Sequence, residues 1–125
     1  MIDFNNATFV KLNRADPATL HAQVAPLLLE GEDLLLAAKG IRDYVVFTNK
    51  RIIVVNVQGM TGKKQDFTSL PYARIQAFSV ETAGTLDRDC ELDLWLSGLG
   101  RVRLEFGNTV DIHYVARLVA WGSMN

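Results

Sequence analysis

The stretch YVVFTNKRIIVVNV, Tyr44 to Val57, decides how the chain reads. Two apolar runs rich in Val and Ile flank four polar residues, Thr48, Asn49, Lys50 and Arg51. Val, Ile, Phe and Tyr favour a pleated strand, and so short an interruption leaves room only for a tight turn. The stretch therefore reads as a β-hairpin. Asn49 tolerates positive φ, so Asn49-Lys50 at the centre of a two-residue turn needs no ligand to explain it. A sharper reading makes Lys50 and Arg51 cations held out to catch a phosphate. The plainer reading leaves them solvated, with Arg51 opening the next strand and pairing to Asp43 or Asp66. Lone surface charges are common and weakly coupled, which favours the plainer one.

The same grammar runs outward from this hairpin. DLLLAAK, DYVVFT, RIIVVNV, KQDFTSL, RIQAFSVE, ELDLWLS and RVRLEF are seven short strand-like runs. Turn chemistry separates them: Lys39-Gly40, Thr48 to Arg51, QGMTGKK, ETAGTLDRD and SGLGR. The last two runs alternate. Leu92, Leu94 and Leu96 share one face against Asp93, Trp95 and Ser97; Val102, Leu104 and Phe106 oppose Arg101, Arg103 and Glu105. Such alternation predicts an antiparallel sheet with one face buried.

Helical patterns flank the strands. Asp16-Pro17 reads as a helix start, followed by Leu20, Val24, Leu27 and Leu28 at helical spacing. Pro26 interrupts it, so the helix is expected from Pro17 to about Ala25, with a short turn to Glu30 and Gly31 as the stop. Phe4, Phe9, Val10 and Leu12 favour neither period. At the other end, NTVDIHYVARLVAWG, residues 108–122, carries one stripe of Val110, Tyr114, Leu118 and Trp121 and another of Ile112, Val115 and Val119. Asn108 or Thr109 is the expected cap and Gly122 the expected exit.

The 125 residues fit one domain, 1–125, with an N-terminal helical segment at 1–31, strands over 32–106 and a helix at 108–122. The single cysteine, Cys90, excludes an internal disulfide framework and fits a reducing compartment. No signal-peptide pattern and no apolar run of spanning length is visible, so a cytoplasmic location is expected. Thirteen basic residues against fourteen acidic ones argue against a nucleic-acid partner. His21 and His113 fall on different helices with no spaced ligand set around them, so no metal or cofactor is expected. Cys90 opens a strand and reads as a small buried hydrophobe, and Gly98-Leu99-Gly100 joins two strands rather than a strand and a helix. No catalytic set emerges, and no enzyme is expected.

Seven antiparallel strands followed by one helix resemble the pleckstrin-homology plan, in which a helix plugs one end of a barrel. FTNKRIIVV, Phe47 to Val55, and GKKQDFTSLPYARIQAFSVET, Gly62 to Thr82, are similar to two segments of the small single-domain bacterial pleckstrin-homology-like family. The resemblance implies a mainly β (α+β) fold: a seven-stranded antiparallel barrel, a capping C-terminal helix and a helix before the strands. It also implies a binding or assembly module that forms ring-shaped homo-oligomers. Eukaryotic relatives bind phosphoinositides through basic residues around the first hairpin; here that hairpin offers only Lys39 and Arg42 on a very short turn.

Two residue sets become candidates. Trp95 should point out of the barrel, where either the N-terminal segment or a neighbouring subunit must cover it. Phe78 lies on opposite parity to Ile75, which suggests a strand covered on both faces. The apolar arc of the last helix is wider than plugging a barrel end requires. Phe78, Trp95, Tyr114, Leu118 and Trp121 are thus a candidate subunit interface, for a second copy or another protein. Trp121 also resembles the core-packing tryptophan of the pleckstrin-homology C-terminal helix. The second set, Lys39, Arg42, Lys50, Arg51, Lys63 and Lys64, would form one basic rim for a membrane surface if the loops cluster. Neutralisation by Glu32, Asp43 and Asp66 is the plainer expectation.

Overall fold

The hairpin forms where its sequence places it, as two strands joined at Asn49 and Lys50. A computed structural model describes residues 1–124. Along them run β1 (Ala7–Ala15), α1 (Pro17–Val24), β2 (Leu34–Lys39), β3 (Tyr44–Thr48), β4 (Arg51–Gln58), β5 (Lys64–Pro71), β6 (Ile75–Glu81), β7 (Cys90–Leu96), β8 (Gly100–Phe106) and α2 (Ile112–Ser123). Short 3₁₀ turns follow α1 at Ala25–Leu27 and β5 at Tyr72–Arg74. All seven expected strands are present as β2 to β8.

The eighth strand corrects the expectation for the N-terminus. Residues 7–15 were expected within a helical segment; they form β1, and the only α-helix before β2 lies inside the fold, after β1. The cause is a bulge. Phe9 pairs with Leu104 and Leu12 with Phe106, so three steps on β1 answer two on β8. Lys11 takes the left-handed conformation, φ 55°, at this bulge. Phe9 and Leu12 therefore both face inward, three residues apart, while Val10 and Lys11 face solvent. That spacing mimics a helix and hides the strand.

β1 also changes the topology. The strand order is β5-β4-β3-β2-β1-β8-β7-β6. β1 runs parallel to β8 through Ala7–Leu12 and antiparallel to β2 through Asn13–Ala15. The sheet is thus not wholly antiparallel. β5 and β6 are its two ends and do not pair, so it is a curled open sheet rather than a closed barrel of seven strands.

Inside the curl lies the main core. Leu12, Phe47, Ile52, Leu92, Leu104 and Phe106 fill it, and α2 closes it with Ile112, Val115, Leu118 and Val119. The rings of Phe47 and Phe106 sit 6.3 Å apart at 45°, joining the two halves of the sheet. Ile2 and Phe4 are buried in the same core. Their backbone ties opposite elements: Ile2 N donates to Thr68 Oγ1 at 3.2 Å, and Arg101 N donates to Phe4 O at 3.2 Å.

A second apolar layer lies outside the curl. Leu20 and Val24 of α1 cover Ala37, Tyr44, Val46, Ile53 and Val55. Each buried Leu or Val is worth about 1.5–3 kcal/mol relative to exposure. This explains why YVVF and IIVV do not alternate: both faces of β3 and β4 are buried.

The C-terminal helix differs from expectation in its ends and its faces. Asp111, not Asn108 or Thr109, caps it by accepting from His113 N at 3.0 Å and Tyr114 N at 3.2 Å. Thr109 Oγ1 instead accepts from Arg14 N at 2.9 Å. Gly122 lies within the helix rather than ending it. A Cβ there would meet the Tyr72 ring at 2.3 Å, so only glycine lets the helix approach that ring. Both apolar stripes turn towards the core, with Val110, Ile112, Leu118 and Val119 all buried, and little surplus remains apart from Trp121.

Candidate functional site

The Thr48–Arg51 turn is held by a network, and its cations divide unequally. Thr48 Oγ1 accepts from Lys50 N and Arg51 N, each at 3.0 Å, which closes the turn by side chain. Positive φ plays no part: Lys11 is the only non-glycine residue among those described with that conformation. Asn49 acts through its amide instead. It accepts from Asp33 N at 2.9 Å and donates to Gly31 O at 3.0 Å.

Arg51 pairs with neither Asp43 nor Asp66. Its Nε donates to Glu32 Oε2 and its terminal nitrogen to Glu32 Oε1, both at 2.9 Å. It also reaches Ser69 and the Leu27 carbonyl. Glu32 is buried, and it also accepts from Thr48 Oγ1 at 2.7 Å and Leu29 N at 3.0 Å. Burial alone would raise the Glu32 carboxyl, but the hydrogen bonds from Arg51, Leu29 and Thr48 outweigh it and hold the group below its usual range. Tyr72 completes the clasp by donating to Thr48 O at 2.8 Å. The motif is therefore a structural lock on the 27–33 loop. The sequence assigned Arg51 to Asp43 or Asp66 and named Glu32 only as a neutraliser of the cation set, because no local spacing links Glu32 to Arg51.

The six proposed rim cations do not form one rim. Lys50 and Arg51 lie at one end of β3, whereas Lys39 and Arg42 lie at its other end beside Lys63 and Lys64. Five strand residues separate the two groups, about 17 Å. The expected neutralisation holds for Arg51, through Glu32, and fails for the others. Asp43 accepts from Val57 N at 2.9 Å, Asp66 accepts from the Met1 amino group, and Glu32 is committed to Arg51. Lys39, Arg42, Lys63 and Lys64 have no carboxylate partner among the described residues. Arg42 donates to Gly59 O and so ties the β2–β3 and β4–β5 turns into one tip. Ile41 and Met60, both almost wholly exposed, crown it.

The proposed interface residues also divide. Phe78 faces inward opposite Leu94 and packs on the core. Its parity misleads because Ile75 pairs with Leu96 and Ala77 with Trp95, leaving Gln76 as an extra, bulged residue. Leu118 is buried, and Tyr114 is half-buried against the same core. Trp95 and Trp121 remain 40% and 52% exposed. Trp121 therefore does not take the core-packing role its position suggested. The N-terminal segment does not cover Trp95, since Ile2 and Phe4 go into the core instead.

Among the described residues, no helix lies over the outer face of β6 to β8. It is organised in cross-strand rows. Ala77, Trp95 and Arg101 form one; Ser79, Asp93 and Arg103 the next; Glu81, Glu91 and Glu105 the last. Arg103 forks onto Asp93 at 2.9 and 3.2 Å, with Glu91 at 3.7 Å. Burial pushes the Glu105 carboxyl up, and the Glu91 charge adds to the push while Arg103 opposes it. The outward parity of ELDLWLS and RVRLEF carried the signal for this acidic row, but not its alignment with Glu81.

No group of His, Cys, Asp and Glu suited to a metal occurs among the described residues. Cys90 is buried, as a small hydrophobe would be. No helix among those residues is long and apolar enough to cross a membrane.

The family model of the bacterial PH domain matches residues 3–122, nearly the whole chain. The chain belongs to the bacterial PH domain family. The protein YjqA of Bacillus subtilis strain 168 is 46% identical over 105 residues, covering 82% of this chain and 84% of YjqA. A DUF1696 family protein with a pleckstrin-homology domain from Shewanella loihica PV-4 superposes with a TM-score of 0.80 at 39% identity, over 92% of this chain and 99% of that one. A pleckstrin homology domain from Shewanella amazonensis SB2B gives 0.69 at 40% identity, over 90% and 92%. The open curled sheet with its closing helix is therefore the bacterial PH domain architecture in this chain.

Proposed function

We propose that this bacterial PH domain is a non-enzymatic assembly module that self-associates into a homo-oligomer and scaffolds protein–protein contacts. One observation carries the reading: Trp95 stands 40% exposed on a sheet face that no other element among the described residues covers. An exposed tryptophan on a bare face is a frequent anchor of protein interfaces. Trp121 offers a second exposed indole on α2. The test is the mass of the particle in light scattering. Trp95→Asp should reduce it to that of a single chain; a wild-type protein that is already a single chain at high concentration, or a variant of unchanged mass, overturns the proposal.

A second reading has a specific observation in its favour. The four unpaired cations and two apolar side chains at the β2–β3/β4–β5 tip suit an anionic lipid surface. Each cation near such a surface contributes about 1 kcal/mol. Flotation with anionic vesicles at low and high salt tests it. Salt-sensitive binding lost on reversing Lys63 and Lys64 supports this reading, and no binding at low salt removes it.

A further inference from the structure

Two surfaces of the molecule are unsatisfied in complementary ways. At the tip, Lys39, Arg42, Lys63 and Lys64 surround Ile41 and Met60, and none of the four has an ion-pair partner among the described residues, since the turn's own Asp43 accepts from Val57 N. On the outer face of β6 to β8, Glu81, Glu91 and Glu105 stand directly across from one another. Like charges in register across strands are destabilising, so this row needs counter-charge from somewhere. Arg103 supplies part of it, but its fork is engaged by Asp93. Arg101 lies two rows away, beside Trp95. The face as a whole holds four carboxylates against two guanidiniums. Its apolar part, Trp95 with Ala77, lies four residues along β7 from Glu91.

We infer that the tip of one copy docks on the β6–β8 face of another, with Ile41 and Met60 against Trp95 and the tip cations against the Glu81–Glu91–Glu105 row. The inference rests on the self-association proposed above and names its two surfaces. A second copy fits better than other occupants for a physical reason. The net charge is only −1, yet it is segregated into a basic tip and an acidic face. One contact between copies satisfies both, whereas a lipid surface would satisfy the tip and leave the acidic row as it is. Electrostatic complementarity of this kind fixes register and partner choice. Joining two different patches gives either a two-fold pair that makes the contact reciprocally or a chain of subunits that closes into a ring.

Paired charge reversals test this. One variant carries Lys63→Glu and Lys64→Glu; the other carries Glu91→Lys and Glu105→Lys. Circular dichroism confirms that each is folded, and exposed Glu81→Lys serves as a milder third variant. Each double variant alone should fall to the mass of a single chain in light scattering, and mixing the two should restore the assembled mass. Raising salt from about 0.1 M to 1 M shortens the screening length from roughly 10 to 3 Å and should weaken the wild-type assembly. If the wild type assembles but both variants keep its mass, the tip-to-face contact is wrong and self-association stands. If the variants are single chains that do not recombine, the two patches do not meet. A wild type that is a single chain at all concentrations removes both proposals. Tip-dependent binding of the wild type to phosphatidylcholine–phosphatidylglycerol vesicles, with the mass unaffected by Lys63→Glu and Lys64→Glu, assigns the tip to a bilayer and overturns the inference.

Discussion

Ile53 and Trp95 both point out of the curl, one from β4 and the other from β7, yet Ile53 is fully buried and Trp95 is 40% exposed. The difference is α1. That helix lays Leu20 and Val24 over the outer face of β2 to β4, and nothing equivalent among the described residues lies over β6 to β8. One half of the sheet is thus built as an interior on both sides, and the other keeps a free surface. The charges follow the same division. Glu32 in the covered half is enclosed by donors, whereas Glu105 on the bare half stands beside another carboxylate. The covered half is packed on both of its faces, and the bare half keeps its outer face in solvent.

The sharpest way to break this contrast is Arg51→Ala. It leaves a buried Glu32 carboxylate without its cation, and losing one partner of such a pair costs about 3–5 kcal/mol. Urea unfolding should show a loss of that size; a loss below about 1 kcal/mol would mean that the clasp is not what holds the 27–33 loop. Next in size is a matched pair. Ile53→Ala should cost about 2–5 kcal/mol, as for other buried aliphatic truncations. Trp95→Ala should change the stability of the single chain by only about 0.5 kcal/mol. Equal costs would show that the two faces are covered alike.

The smallest effects come from pH. The folded Glu32 carboxyl titrates below its unfolded counterpart near 4.5, so its stabilisation is complete above that value and fades as pH falls through the folded one. Glu105 is shifted upwards and works in the opposite sense: its ionised form opposes folding at neutral pH, and protonation relieves this as pH falls. Glu32→Gln should therefore flatten the acid side of the stability profile, and Glu105→Gln should raise the neutral side slightly. Thermal melts from pH 7 to 3 measure both, and parallel profiles for the two variants would contradict the opposed signs.

Much of this was legible in the sequence. The seven runs from β2 to β8 stand out because each is short, β-branched or alternating, and closed by turn residues. The outward placement of Trp95 followed from parity alone. What failed was wherever an extra residue breaks parity. The bulge at Lys11 disguised β1, and the one at Gln76 turned Phe78 inward. Long-range partners were equally hidden. Glu32–Arg51 and Gly122–Tyr72 depend on elements meeting in space, and no local pattern announces them. The acidic row was half visible, since each strand showed its own carboxylates but not their register.

The parallel pairing of β1 with β8 also sets an order of events. β1 finds one of its two neighbouring strands only in β8, with Ala7 opposite Val102 and Leu12 opposite Phe106. During synthesis, Ala7–Leu12 must wait, unpaired along that edge, until β8 has left the ribosome. Contacts between such distant segments also slow folding. The nascent chain therefore exposes a sticky strand until β8 has been made, and a product cut short before β8 would never lose it.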